Sequence, residues 1–382
     1  TKLSIAGVTV WAPRRLYRNG RLTLSRLDDR RPANQLSIRL GGTEITLGGE
    51  LELNVDVAGN RDLNSRRDDS RLEMEPGFQF ESAFQFTDSI SAFAEIKGSH
   101  AREYDIPLHL DTQTSEFQRG EMWFYFDQAF DTPLSVQIGR QNFAEEREWW
   151  WDEDLDAIRV FYSNYRYQFE LAVAEETFKE TLDADHPFEQ DQDILRVLAS
   201  AKWRMSSALM LDVFFLNQND HSNAYALDRI VRLHHEDEDD ADLTWFGARA
   251  SGKTSLVNDI DIRYWMDLAF VRGSETRYEF DDISQRLVFV EEVVHGDRSG
   301  EAVDVGVSLT WSDVAWRSLR EPTLTFAYAF GSGDENGMNH FRETGLNDNN
   351  GKFNGVDRFR YYGELADPKL ENLHVSTAAL GF

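Results

Sequence analysis

The residues best suited to chemistry in this sequence are carboxylates, and several of them form close pairs. Asp152 and Asp154 are one such pair, and glycoside hydrolysis needs two carboxyl groups about 5 Å or more apart. The chain has 68 acidic residues, so pairs of this kind arise by chance. It contains no Gly-x-Ser-x-Gly element, phosphate-binding glycine loop or His-Glu-x-x-His element. We therefore predict that the chain is not an enzyme and carries no cofactor.

The tract 234–242, "HHEDEDDAD", concentrates the hard oxygen ligands that calcium prefers. It lacks the glycine and the regular ligand spacing of an EF-hand, which favours a solvated acidic loop. His234 and His235 are adjacent in that loop, a poor geometry for binding a metal. The chain has no cysteine, so disulfides and thiolate metal sites are excluded. We predict no metal site.

Charge and hydropathy limit the partners further. Acidic residues outnumber the 40 basic ones and give a net charge of -28, which argues against nucleic acid and against docking on anionic membrane surfaces. No apolar run reaches the about 18 residues of a spanning helix. The opening "TKLSIAGVTV" is not a signal peptide, so we expect a mature or trimmed form if the protein is exported.

The elements that must position these residues are strands, because apolar and polar residues alternate with a period of two along most of the chain. About fourteen segments show it, at roughly the 10-residue length of a tilted membrane strand. In one of them Ile262, Tyr264 and Met266 share one face. Asp261, Arg263 and Asp267 share the other. Alternation alone also fits a soluble β-sandwich with its apolar face inward.

Connections and aromatic residues favour a membrane barrel. Tight turns such as 131–133 contrast with long charged connections at 61–71, 180–192, 218–242 and 331–357, a difference typical of outer-membrane barrels. Rings near strand ends fit interfacial girdles: Phe130, Tyr162, Tyr165, Tyr167, Trp203, Trp311 and Trp316. Lipid offers no water to a free strand edge, so the sheet must close. We predict an all-β transmembrane antiparallel β-barrel of 14–18 strands in the bacterial outer membrane.

If the apolar face meets lipid, a largely acidic set of side chains faces the lumen. Its predicted members are Asp56, Glu81, Glu95, Lys97, Asp127, Asp212, Asp261, Arg263, Asp267 and Asp304. Such carboxylates favour cationic or neutral solutes, because charge in a confined channel is poorly screened. The alternative is that they pair with basic residues across strands. Trp149, Trp150 and Trp151 are interpreted as a membrane-interface cluster, or else as a platform for sugar rings.

Two tracts, 138–162 and 341–373, resemble the outer-membrane alginate export family. The matching residues of the first tract are Gly139, Arg140, Gln141, Trp150, Asp152, Asp156, Ala157 and Arg159. Those of the second tract are Thr344, Gly345, Leu346, Phe353, Gly355, Gly363, Glu364, Leu370, Asn372 and Leu373. The resemblance implies an 18-stranded barrel that exports a polysaccharide through an arginine-lined pore gated by loops.

The resemblance also marks candidate constriction residues, which are Arg140, Asp152, Asp154, Arg159, Arg358 and Glu364. Asn142 and Asp367 stand where the family is basic. We predict a β-barrel domain over residues 45–382, and a basic N-terminal extension or extra strands over residues 1–44. The family continues for several strands beyond Leu373, so either the sequence is a fragment or the N-terminal segments supply those strands.

These patterns predict a passive outer-membrane channel for a polysaccharide or small polar solutes, with the connections 218–242 and 331–357 as gates. Its partners would be outer-membrane lipid, the transported molecule and a periplasmic protein. One alternative is a structural barrel that sheathes a protein such as a periplasmic electron carrier. The other is a soluble acidic β protein that binds carbohydrate.

Overall fold

The computed structural model describes most of the chain, with gaps that fall mainly in the connections. The described residues are 2–6, 16–18, 21–23, 36–58, 71–105, 110–145, 147–175, 194–220, 225–232, 239–257, 260–284, 287–311, 315–316, 319–333, 340–348, 352–353, 357–358, 362 and 368–381. The chain divides into two compact units, Thr1–Gln141 with Phe178–Glu189 and Asn142–Thr177 with Gln190–Phe382.

The first unit is an antiparallel sheet plus one small hairpin. Its strands are β1 (Lys2–Ala6), β2 (Leu16–Arg18), β3 (Arg21–Thr23), β4 (Leu36–Leu40), β5 (Thr43–Ala58), β6 (Arg71–Gln85), β7 (Ile90–Asp105), β8 (Leu110–Phe126) and β9 (Leu134–Ala144). Strands β4 to β9 pair in chain order, β1 also pairs with β5, and β2 pairs with β3. The last three residues of β9 belong to the second unit. A short 3-10 helix, Ala129–Asp131, connects β8 to β9.

The second unit is a longer antiparallel meander. Its strands are β10 (Asp152–Ser163), β11 (Tyr167–Glu175), β12 (Ile194–Arg204), β13 (Met210–Asp220), β14 (Ile230–Arg232), β15 (Asp239–Val257), β16 (Ile260–Ser284), β17 (Leu287–Trp311), β18 (Ala315–Trp316), β19 (Leu319–Arg320), β20 (Thr323–Gly331), β21 (Lys352–Phe353), β22 (Asp357–Arg358) and β23 (Leu373–Gly381). Strand β13 pairs with β15, β14 with β17, β17 with β20, and β20 with β23. The pairs β18 with β19 and β21 with β22 are separate hairpins.

Among the described residues and apart from the three two-stranded hairpins, seven strands of the first unit and ten of the second take part in sheet pairing, seventeen together. The predicted all-β antiparallel fold of 14–18 strands is therefore confirmed. No helix in the described ranges is long and apolar enough to cross a membrane.

The strands turn their apolar side chains outward. On β11, Leu171 is 53% exposed and Val173 47%, whereas the alternating Ala172 is 1% exposed. On β16, Met266 is exposed while Asp267 is 0% exposed. A water-soluble protein does the reverse, because burial of an unpaired charge is costly and burial of an apolar side chain is favourable. Exposed apolar faces with buried charges are the arrangement of a sheet whose outer face contacts lipid.

The short turns are encoded by polar residues that accept backbone N–H groups. The Asn164 side chain accepts from the N–H groups of Arg166 and Tyr167, both at 2.8 Å, between β10 and β11. The Ser206 hydroxyl accepts from the Leu209 N–H at 3.1 Å between β12 and β13. Side chains of these types mimic a backbone turn, so the chain reverses within a few residues.

Exposed aromatic rings lie beside these turns. Tyr167 stacks on Trp203 with ring centroids 6.2 Å apart and on Phe169 at 6.3 Å, and Tyr165 is exposed beside them. This position fits the predicted interfacial girdle, because amphipathic rings prefer headgroup depth. The Trp316 side chain of that prediction lies outside the described residues.

Candidate functional site

The interior face of the second unit is built around an ion cluster at the segment 145–151, which joins β9 to β10. We call residues 145 and 147–151 the tryptophan segment; residue 146 lies outside the described residues. Glu145 accepts backbone N–H groups from Arg147 at 2.9 Å and Trp149 at 2.5 Å. It also forms an ion pair with Arg249 of β15. Glu145 therefore folds the segment into a turn and binds that turn to a strand.

Arg147 makes a second attachment, to β16 and β17. It pairs with Asp267, and with Asp304 at 2.9 Å. Its guanidinium also lies over the Trp265 ring, 4.8 Å from the centroid. The Trp265 ring N–H donates to Asp304 at 2.7 Å. Asp267 also pairs with Arg249. Asp267 and Asp304 therefore both have basic partners.

Tyr362 closes the cluster from a separate part of the chain. Its hydroxyl donates to Asp304 at 3.0 Å and accepts from the Trp149 ring N–H at 2.5 Å. Burial raises the pKa of Tyr362, and the charge of Asp304 raises it further. The phenol therefore keeps its proton and remains a donor to the carboxylate.

The three tryptophans of the segment are buried in the second unit. Trp150 stacks on Phe214 of β13 with centroids 5.0 Å apart, and Trp151 meets Phe214 edge-on at 5.6 Å. Trp149 stacks on Phe341 at 6.5 Å. The favoured interpretation of these rings as a membrane-interface cluster is wrong. A turn, unlike an extended strand, lets three consecutive side chains enter one core.

A second stretch of chain, residues 340–348, packs on the tryptophan segment. The Thr344 hydroxyl donates to the Trp150 carbonyl at 2.6 Å. The Asp152 N–H donates to the Leu346 carbonyl at 2.5 Å. Phe341 and Leu346 are buried in the same apolar cluster as the three tryptophans. Part of the predicted gate 331–357 therefore lies inside the second unit; residues 334–339, 349–351 and 354–356 of it are outside the described residues.

A cavity of about 530 Å³ adjoins the ion cluster in the second unit. Its charged lining residues are all basic, in a chain of net charge -28. They are Arg147, Arg204, Arg249, Lys253 and Arg263. Ser206, Ser251 and Ser308 add hydroxyl groups. This cavity is suited to anionic or neutral polar groups.

A groove of about 240 Å³ in the first unit has the opposite character. Its charged lining residues are Glu50, Glu52, Glu75, Glu116 and Lys97. Gly77, which has no side chain, lies among them. Four carboxylates and one lysine give this groove an acidic lining, and the acidic lumen expected from the sequence stays a prediction.

The candidate constriction residues are divided between the two units. Arg140 is buried on β9 in the first unit, and Asp152 and Asp154 are half-buried on β10. Arg159, also on β10, pairs with Glu170 at 2.8 Å and lies over the rings of Phe143 and Phe161. The Arg358 side chain and all of Glu364 lie outside the described residues. A shared constriction stays a prediction.

Among the predicted lumen residues of the first unit, Glu95 is buried and pairs with Lys97 at 3.0 Å. Asp127 accepts from the Ser135 hydroxyl at 2.8 Å. Asp56 and Glu81 are half-buried. All five lie on described strands or turns, and their role in selectivity stays a prediction.

In the second unit, Asp212 is buried on β13 and Asp261 pairs with Lys253 at 2.8 Å. Arg263 is exposed and lines the basic cavity. Together with the pairs of Asp267 and Asp304, these contacts match the alternative that carboxylates are balanced by basic residues.

Sequence reasoning missed Glu145, Arg147, Arg249 and Tyr362. Arg249 could have been found, because the β15 alternation puts it on the same face as Ser251 and opposite Asp267 in register. Glu145 and Tyr362 lie outside the strands, where no period indicates a direction.

A cluster of three carboxylates lies where residues 340–348 pack on the end of the tryptophan segment. Glu148, Asp152 and Asp348 each offer an oxygen within 4.8 Å of the others. Acidic clusters of this kind are common without an ion, so the group alone assigns no metal. Residues 234–238 of the tract weighed as a calcium loop lie outside the described residues.

The ion cluster should keep its stabilising effect down to acidic pH. Burial alone raises the pKa of Glu145, but the charge of Arg249 and hydrogen bonds from Arg249, Arg147 and Trp149 outweigh it and lower the pKa from 4.5 to about 2. A lowered folded-state pKa gives stability that is complete above pH 4.5 and is lost as the pH falls toward 2.

Glu145→Gln measures this effect. We expect a constant difference in unfolding midpoint between Glu145→Gln and the unmodified protein from pH 7 to about pH 5, and a shrinking difference below about pH 4. Urea titrations at several pH values provide the measurement. A difference that already changes between pH 7 and about pH 6 would contradict the buried Glu145–Arg249 pair.

Comparison with known proteins places the chain in a family. A family model described as "Alginate export" matches residues 43–382. The Alginate production protein AlgE of Pseudomonas aeruginosa is 24% identical over 256 residues, 63% of this chain and 48% of that protein. AlgE of Pseudomonas syringae pv. tomato is 22% identical over 266 residues, 67% of this chain and 50% of that protein. The chain thus spans about half the length of these curated relatives.

Among solved structures, the low-pH structure of Pseudomonas putida OprB aligns with a TM-score of 0.33 and 12% identity, covering 76% of this chain and 87% of that one. A likeness at this level adds nothing to the assignment. The family model covers residues 43–382, most of the chain, and that match confirms the resemblance of the two tracts. The chain therefore belongs to the Alginate export family of outer-membrane β-barrels.

Proposed function

We propose that the chain forms a passive conduit through the outer membrane for a polysaccharide or small polar solutes. The observation that carries this proposal is the inverted burial pattern, with apolar side chains such as Leu171 exposed and charged ones such as Asp267 enclosed. An enclosed polar surface provides a route for solutes that lipid excludes. No chemistry is required of such a route, in keeping with a family of barrels rather than enzymes.

The charge preference of the conduit is the finer part of the proposal. The groove of the first unit is lined mainly by carboxylates, and such a lining would favour cations or neutral groups. In the second unit Asp267 and Asp304 are balanced by Arg147 and Arg249. We assign those two aspartates to holding the tryptophan segment, and the selectivity of the second unit to its basic cavity.

Arg263 is the residue of the cavity that best tests this assignment. It is exposed, and its neighbours across the sheet are Lys253 and Ser308, neither of which balances its charge. Among the described residues no ion pair involves it. Arg204, at the rim, lies over the ring of Tyr165 with the guanidinium carbon 5.6 Å from the centroid. Anionic groups of a carboxylated or sulfated sugar would meet these two side chains.

Replacing Arg263 by serine should shift the reversal potential, measured in planar bilayers under a salt gradient, toward the equilibrium potential of the cation. The physical reason is that a fixed positive charge is lost from a confined aqueous space. Arg39→Ser, the same charge change at an exposed position beside Glu44, is the control and should leave the potential unchanged. An unchanged potential in Arg263→Ser would remove this residue from the conducting path.

If the chain forms a conduit, folded protein inserted in a bilayer gives discrete, ohmic steps of conductance. Inserted protein that gives no steps, both unmodified and with the ion pairs of Glu145 and Arg147 removed by substitution, would overturn the proposal. The soluble carbohydrate-binding alternative does not fit an outer-membrane family. For the sheath alternative, the described residues of the second unit give no support, because the chain's own side chains occupy that interior.

A further inference from the structure

The interior of the second unit is shaped to receive the tryptophan segment. Gly247 of β15 lies beneath Trp150, and any side chain there would overlap the indole ring. Gly306 of β17 is the cross-strand partner of Trp265 on β16, and its missing side chain leaves room for the Trp265 ring that Arg147 covers. Glycine weakens a strand interior and is used where another group must approach closely. These two glycines therefore mark where the inner residues lie against the sheet.

Two further strand glycines lie under other residues that pack in the same interior. A side chain at Gly300 of β17 would overlap the backbone of His340 and Phe341. One at Gly331 of β20 would overlap Leu370. All four glycines share the inward alternation of buried neighbours such as Asp304, Arg298 and Ala329. The segment and these residues thus occupy fixed sites on the sheet.

The attachment is both ionic and apolar. Glu145 and Arg147 bind three successive strands through Arg249, Asp267 and Asp304. Charges buried in this way are stable only while their partners stay in place. If the segment left this site, all three ion pairs would separate, and the face of Trp150 that stacks on Phe214 would be exposed. The ionic and apolar contacts therefore hold the same short segment.

We infer that the tryptophan segment is a plug held in the second unit by an ionic latch, Glu145 to Arg249 and Arg147 to Asp267 and Asp304, and that releasing the latch opens the conduit. This inference rests on the proposed function. It differs from a gate made of the long connections 218–242 and 331–357, because the closing element is the short connection between β9 and β10. The basic cavity, lined by Arg147 and Arg249, adjoins the latch, so an anionic group entering it competes for the same two arginines.

A reporter cysteine measures the position of the plug independently of conductance. Ala269→Cys suits this purpose, because Ala269 is buried in the apolar cluster and faces Gly247 across β15 and β16. The chain has no cysteine of its own. Reaction of this single thiol with a water-soluble maleimide reports whether the plug covers it.

The latch is weakened by Arg147→Met, which keeps the aliphatic stem but removes the charge. We expect maleimide labelling of Ala269→Cys to rise about tenfold, as expected from losing hydrogen bonds between charged groups, and bilayer conductance to rise with it. Arg147→Met with Asp304→Asn removes both charges of one pair, so it tests the latch even where the single variant folds poorly. Lys253→Met, the same charge change on β15 outside the plug, is the control for labelling only, because Lys253 lines the basic cavity.

Unchanged labelling in both Arg147 variants would overturn the latch, as would an equal rise in Lys253→Met, which would indicate general loosening. Conductance that is already full before any substitution and unaltered by it would also overturn the latch while leaving the conduit intact. Labelling that rises with no conductance in any variant would support the latch as a docking contact and overturn the conduit.

Discussion

Replacing Arg249 by alanine should destabilise the folded protein by about 3–5 kcal/mol, the usual effect of removing one partner from a buried ion pair. Arg249 bonds to both Glu145 and Asp267, and all three side chains are buried. Without the guanidinium two carboxylates would remain in a site of low dielectric constant. Urea unfolding of protein reconstituted in vesicles provides the measurement.

The matched control is Lys253→Ala on the same strand. Its pair with Asp261 is more than half exposed on the lysine side, so we expect a loss below about 1 kcal/mol. The double variant Arg249→Met with Glu145→Gln should recover part of the loss, because it removes charges of both signs. An Arg249→Ala protein as stable as Lys253→Ala would show that the cluster is not enclosed.

Replacing Leu171 by arginine should cost about 2–4 kcal/mol of stability in vesicles, the cost of a basic side chain at the middle of a lipid-facing strand. Leu171 is at the centre of β11, with Phe169 and Val173 exposed on the same face. On a water-exposed sheet the same substitution would change stability by less than about 0.5 kcal/mol.

Leu171→Met, which keeps an apolar side chain of similar volume, is the control and should be nearly neutral. Folding yield into vesicles and the urea midpoint together give the result. If Leu171→Arg folds as well as Leu171→Met, the face formed by Phe169, Leu171 and Val173 does not contact hydrocarbon.

The strands and the direction of their faces could be predicted from the sequence. On β11 and β16 the alternation of residue types predicts the exposed and the buried face, because a strand has only two faces and a period of two. The turns at Asn164 and Ser206 were not predicted from the sequence, although their hydrogen bonds are local. The resemblance of tracts 138–162 and 341–373 then pointed to the family.

The sequence by itself therefore determined an antiparallel outer-membrane sheet with a charged inner side. Only the tertiary structure decided which inner charges balance each other and what lies against them. Arg147 and Asp304 are 157 positions apart, and the three tryptophans follow a turn whose direction depends on a distant arginine. Contacts of this kind arise from packing between remote segments, and no local period carries that information.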